Sequence, residues 1–198
     1  MPLSLLKAGP TRLPAAPRRR QCLYALALLL TMPAMASVTQ ATASERSVKA
    51  AFLYKFLGYT EFPATAFGDT SAPVVIGVLG ADDLAAELGR IVNGRTVQSR
   101  PIVVKVLHDP ESAAGVHLLF VGGNDNARVR NQLKAVPPGP MLVVSEADDG
   151  LQQGSVINFR VVDEHVRFDV SLDAAEKNSV KLSSRLLTVA NHVQKGAP

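Results

Sequence analysis

Val166-Arg-Phe-Asp-Val-Ser-Leu-Asp-Ala-Ala-Glu176, followed by Lys181-Leu-Ser-Ser-Arg-Leu-Leu-Thr-Val-Ala190, carries two hydrophobic periods in succession. Val166, Phe168 and Val170 alternate with Arg167, Asp169 and Ser171, the period of a strand with one buried face. Leu182, Leu186, Val189, Ala190 and Val193 then recur at the spacing of an amphipathic helix, and Leu187 widens its apolar side. The chain is therefore expected to end as a strand feeding a helix.

Just upstream, residues 156–162 alternate in the same way and are separated from residues 166–172 only by Asp163, Glu164 and His165. That gap is too short for a crossover, so an antiparallel hairpin is predicted at one side of the sheet. The middle of the chain reads differently. Val74-Val-Ile-Gly-Val-Leu79, residues 102–107, residues 117–121 and Met141-Leu-Val-Val-Ser145 are short, almost wholly apolar runs. Helices are expected between them at 84–92, begun by Asp82 and Asp83, and at about 127–136, ended by Pro137-Pro-Gly-Pro140. Apolar strands alternating with helices predict a three-layer α/β/α fold with a mostly parallel sheet covered on both faces.

The front of the chain addresses location. Arg18, Arg19 and Arg20 precede an apolar run at 23–32, and Ala34-Met-Ala36 offers small residues at both positions that a signal peptidase reads. Residues 1–36 are thus expected to be a cleaved secretory signal peptide; the run is too short for a membrane span. Five of the 21 basic residues and no acidic one lie in that segment, leaving 16 basic against 17 acidic. The basic balance belongs to the leader, which removes the global argument for nucleic-acid binding. Cys22 leaves with it, so the remaining 162 residues, enough for one domain, must be held by their core without disulfides. Residues 37–46, rich in Ala, Ser and Thr, are expected to be a flexible lead-in, and 47–195 a single domain whose first helix spans about 47–59 before Pro63.

Chemistry is sparse. His108, His117, His165 and His192 stand at no metal-ligand spacing, so no metal or cofactor is expected. Ser145-Glu146 follows a strand, where open α/β sheets place ligands, but it lacks a nucleophile elbow, and a helix cap or a strand-end hydrogen bond is the favoured role. Gly122-Gly123 offers backbone N–H groups that can cradle an anion, although a turn needing positive φ is the commoner reason for such a pair. Asp148-Asp149-Gly150 reads as a turn. Phe52, Tyr54, Phe56, Tyr59 and Phe62 admit two readings: an exposed partner surface, or a helix buried nearly all round between the sheet and another element.

Val48-Lys-Ala-Ala-Phe-Leu-Tyr-Lys-Phe56, running into Tyr59-Thr-Glu-Phe-Pro63, together with the C-terminal stretch quoted first, resembles the wording of the YfiR-type periplasmic repressors. Leu142-Val-Val-Ser-Glu146 and Gly154-Ser-Val-Ile-Asn-Phe159 are looser matches, and the similarity runs over residues 48–193. The resemblance implies a periplasmic, dimer-forming α/β protein without enzymatic activity. Such a protein binds the periplasmic part of an inner-membrane diguanylate cyclase and holds it inactive, lowering cyclic di-GMP and biofilm output. An outer-membrane peptidoglycan-binding lipoprotein can sequester it. Transferred onto this sequence, the partner contacts are Glu61, Phe62, Glu146, Phe159, Asp169 and Arg185, with core packing of Phe159 and an Arg185–Asp169 pair as the structural alternatives. The chain departs from characterised members in lacking their cysteine pairs. The competing class is a small-molecule-binding sensory subunit for a histidine kinase or another membrane receptor. A two-lobed transport receptor needs about twice the length.

Overall fold

The computed structural model of the chain describes residues 34–69, 71–123 and 125–196. The expected leader lies outside them apart from its last three residues. Helix α1, Ala34–Gly58, starts earlier than the predicted 47, so residues 37–46 are helical, not irregular. Their alanines explain the difference, since alanine is the strongest helix former and no glycine or proline interrupts the run.

After α1 come β1 (Thr60–Glu61), a 3-10 turn, β2 (Val74–Leu79), α2 (Asp82–Val92), β3 (Thr96–Val97) and β4 (Arg100–Leu107). A second 3-10 turn, Pro110–Ala113, leads to β5 (Leu118–Val121), α3 (Asn126–Ala135), β6 (Leu142–Ser145), β7 (Ile157–Val162) and β8 (His165–Ser171). The chain closes with α4 (Leu172–Lys177), β9 (Lys181–Leu182), α5 (Ser184–Val189) and β10 (His192–Gln194). The main sheet runs β10-β8-β7-β6-β5-β2-β4-β3 and is parallel except at β7/β8 and β3/β4; β1 and β9 form a separate antiparallel pair. The fold is α/β, as the apolar strand pattern predicts.

Both faces of the sheet are packed. Leu84, Ala85, Leu88 and Val92 of α2 join Ala50, Leu53, Phe56 and Leu57 of α1 in one core, while Val129 and Leu133 of α3 close the other with Leu119, Val121 and Val143. The first core is dense in aromatic contacts: Phe56 lies 5.0 Å from Phe168 and 5.8 Å from Phe159, and Phe52 5.6 Å from Phe168. Each such pair contributes about 0.5–1.5 kcal/mol beyond area burial. Of the five aromatics in and after α1, Phe56 is buried, Phe52, Tyr54 and Phe62 are half-buried against the core and Tyr59 is exposed, as are Val48 and Lys55, so the helix packs on one side and is neither covered all round nor an exposed aromatic surface.

Three local expectations are revised. The C-terminal helix predicted across 182–193 is divided into β9, α5 and β10. Ser183 caps α5 with its side chain, and His192–Gln194 instead pair in parallel with Asp169–Ser171 of β8. Val189, placed on the apolar face by its spacing, is 66% exposed. The β7/β8 hairpin is present, with its two turn residues Asp163 and Glu164 both at positive φ as a type I′ turn requires. Burial along it changes by position rather than by face, the inner halves being covered and the tip exposed. A second tight hairpin, β3/β4, turns through Gln98 and Ser99, also at positive φ; neither residue type signals such a turn in sequence.

Candidate functional site

β2 is followed by α2 and β4 on one side, after which the chain returns to β5 on the other side of β2. The strand order therefore reverses between β2 and β5, and open α/β sheets form a ligand crevice at the carboxyl ends of such strands. A cleft of about 690 Å³ lies there, lined among others by Gly80, Asp82, His108, Arg128, Glu146 and Lys49. Two turns meet at its floor. Gly80 has φ +77°, and a Cβ on it would run into the Gly122 carbonyl, so only glycine permits this backbone approach.

The anion that the Gly122-Gly123 turn cradles is one of the protein's own. Gly123 N–H donates to Glu146 Oε1 at 3.1 Å, while Lys49 Nζ donates to Glu146 Oε2 at 2.7 Å and pairs with Glu45 at 2.5 Å. Burial works to lower the Lys49 ammonium, but the hydrogen bonds it donates to Glu146 and Glu45, with their negative charges, outweigh it and hold the lysine above its ordinary value. Arg46 to Asp83, 3.6 Å, and Ser47 Oγ to Glu87, 3.0 Å, tie α1 to α2 beside this pair. The cleft is thus charged, and Lys49, Glu146, Glu45, Arg46 and Asp83 in its lining are paired with one another.

Ser145 belongs to a buried chain of hydrogen bonds. Ser155 Oγ donates to Ser145 Oγ at 2.6 Å, Ser145 Oγ to Asn158 Oδ1 at 2.6 Å, and Asn158 Nδ2 to the Ala147 carbonyl at 2.8 Å. All three side chains are buried. This network fastens the 147–155 turns to β6 and β7, and gives a structural reason for Ser145, Ser155 and Asn158 in the two looser motifs. Ser145 spends its proton on an amide, not on a base, so of its two expected roles it fills the strand-end hydrogen bond and not the helix cap.

The opposite, amino-terminal end of the parallel strands is aromatic. β1 pairs with β9 in the register Thr60↔Leu182 and Glu61↔Lys181, so the two sequence stretches that carry the family wording are joined by one short ladder. Glu61 and Arg185 are exposed around it, and half-buried Phe62 meets His117 edge-on at 5.8 Å. His117, just before β5, accepts the Val75 N–H on Nδ1 at 3.1 Å and stacks on Phe67 at 4.4 Å. Arg100 sits over Phe67, 4.0 Å from its centroid, and donates to the carbonyls of Asp69 and Ala72.

Of the six residues expected as contacts, Glu61, Phe62 and Arg185 gather at this amino end, whereas Glu146 lies at the carboxyl end holding Lys49. Phe159, 2% exposed, is core and offers no contact surface. Asp169 is also buried; it accepts from Asn191 at 2.8 Å and lies 3.6 Å from Arg160, so its partner is not Arg185. Sequence reading missed Lys49, one of several charged residues on its helix and not marked out from Arg46 or Lys55, and His117, whose position at a strand start implied nothing about its partners.

Among the described residues, no group of histidines, cysteines and carboxylates is arranged to hold a metal ion. No helix there is long and apolar enough to cross a membrane. No curated protein matches the chain. Among solved structures, the chain is similar to a conserved domain protein from Vibrio cholerae at 11% identity and a TM-score of 0.44, covering 61% of this chain and 54% of that one. A family model described as YfiR/HmsC-like matches residues 46–191, from the start of the Lys49 helix turn to the asparagine that holds Asp169, and the chain belongs to that family.

Proposed function

We propose that the chain is a periplasmic regulatory protein that binds and represses an inner-membrane diguanylate cyclase. The observation that carries this reading is family membership over residues 46–191, in a family of signalling regulators and not catalysts. The site chemistry agrees with it: the strand-end serine is buried and bonded to Asn158, and the strand-end carboxylate is neutralised by Lys49. Repression then requires only that the chain bind one conformation of the cyclase better than another, with its effect bounded by that difference in affinity.

The contact surface proposed is the amino-end face around the β1/β9 ladder, with Glu61, Phe62 and Arg185 reaching the partner and Glu146 acting from a distance by fixing α1. A homodimer is the acting form, and an outer-membrane peptidoglycan-binding lipoprotein its second partner. Deleting the gene should raise cyclic di-GMP, and the chain supplied only in the periplasm should lower it again. An unchanged level under several growth conditions would overturn the proposal.

The charged cleft of about 690 Å³ at the strand reversal favours one other reading, a sensory subunit that takes a small polar molecule and reports to a membrane receptor. A thermal-shift response to small zwitterions that Lys49→Met abolishes would support it.

A further inference from the structure

His117 is 5% exposed and completes only part of its hydrogen bonding. Nδ1 accepts the Val75 N–H, so the neutral ring carries its proton on Nε2, which lies near the Ala66 carbonyl without a full hydrogen bond. One face of the ring stacks on Phe67 and its edge meets Phe62, so this single imidazole joins the start of β2 to the 62–67 segment. Between Phe62 and Phe67, which are half-buried against the core, that segment buries little: the 3-10 turn Ala64–Ala66 contains no buried residue and has no side-chain cap.

We propose that the 62–67 segment is a strap held against the amino ends of the sheet by neutral His117 and released when the ring takes a second proton. Protonation at Nδ1 sets a donor against the Val75 N–H, and that bond cannot survive it. It also places an imidazolium beside Arg100, the cation that faces the site from β4. From the 62–69 side the charged group is Asp69, whose carboxylate is occupied by the Ser71 N–H and hydroxyl, both at 2.7 Å. The neighbours from β2 and β6, Val75 and Leu142, are uncharged. The charged ring therefore gains a like charge and no free carboxylate, and its relief is to leave for water with Phe62 and Phe67.

Burial is the main cause holding His117 below the ordinary histidine value of 6.5; the Ala66 carbonyl opposes it and Arg100 adds to it. The opened state then binds more protons than the closed one between the depressed value and 6.5. Opening consequently becomes easier as pH falls below about 6.5, by up to about tenfold per pH unit for one proton. Any effect on a partner at Phe62 rests on the regulatory reading above, whereas the opening itself does not.

Hydrogen exchange of the full chain, corrected for intrinsic rates, tests this at pH 7.5 and 5.5. The amides of Ala66, Phe67 and Val75, which are hydrogen-bonded in the closed state, should lose protection at the lower pH while Leu118–Val121 keep theirs, and His117→Gln should remove the dependence. No change at these amides, an equal change in β5, or a dependence that survives His117→Gln overturns the strap. Should His117→Gln not fold, an NMR titration of the native ring decides: a value below 6.5 supports the proposal, and one at or above 6.5 overturns it.

Discussion

The two ends of the parallel strands are closed by opposite electrostatic means. At the carboxyl end a charged lysine is shared between Glu146 and Glu45, and at the amino end a neutral histidine is wedged between Val75, Phe62 and Phe67. The first closure needs its proton and the second must not gain one. Lys49, held above its ordinary value of 10.5, contributes stability that is complete below that value and is lost as pH rises past the raised one. His117, held below 6.5, contributes stability that is complete above 6.5 and is lost as pH falls toward its depressed value. One end is therefore a fixed clamp at any physiological pH, and the other is adjustable within it.

The comparison breaks most visibly at Gly80, where the carboxyl-end turns touch. Gly80→Ala forces a Cβ against the Gly122 carbonyl at positive φ, and should cost about 3 kcal/mol, read as a lower urea midpoint with an unchanged slope. Lys49→Met is next. It strands Glu146 and Glu45, both partly covered, and should cost about 2 kcal/mol; adding Glu146→Gln should recover part of that, the non-additivity measuring the coupling. Acid is the third probe. If the strap opens only as part of global unfolding, the stability of the native chain falls by at most about 1.4 kcal/mol per pH unit below pH 6.5, and His117→Gln flattens that limb without touching the alkaline one. The smallest change lies outside both ends: Ser99→Gly relieves a residue held at φ 64° and should stabilise the β3/β4 turn by about 0.5 kcal/mol, detectable as a small rise in Tm.

The elements legible in sequence are those whose patterns are local. Val74–Leu79, Leu118–Val121 and Leu142–Ser145 are apolar at almost every position because both faces are covered, and α3 is bounded by Pro137-Pro-Gly-Pro140 just beyond its last turn. The C-terminal region was misread because Leu182, Leu186 and Val193 meet helical spacing by coincidence. What decides their fate is a remote event, the pairing of Val193 with Val170 and of Leu182 with Thr60. The site followed the same rule. Glu146 was visible as a carboxylate after a strand, but its partner lies 97 residues earlier in the chain, on a helix whose side chains gave no hint of which would turn toward it. Phe159 admits both a contact and a core reading in sequence; its alternation with polar neighbours fits a strand with one buried face, and the α1 aromatics that bury it cannot be placed from sequence.

The most direct measurement of the regulatory reading is cyclic di-GMP in a deletion strain that receives, in the periplasm, either the native chain or the chain with Glu61→Lys and Arg185→Glu. Both substituted residues are exposed, but Glu61→Lys sets a lysine opposite Lys181 in the β1/β9 ladder, so the two chains are compared at equal folded abundance in the periplasm. The native chain should return cyclic di-GMP to its low level and the doubly substituted chain should leave it at the deletion level. Equal restoration by both chains would contradict the amino-end contact surface, and restoration by neither would contradict repression itself.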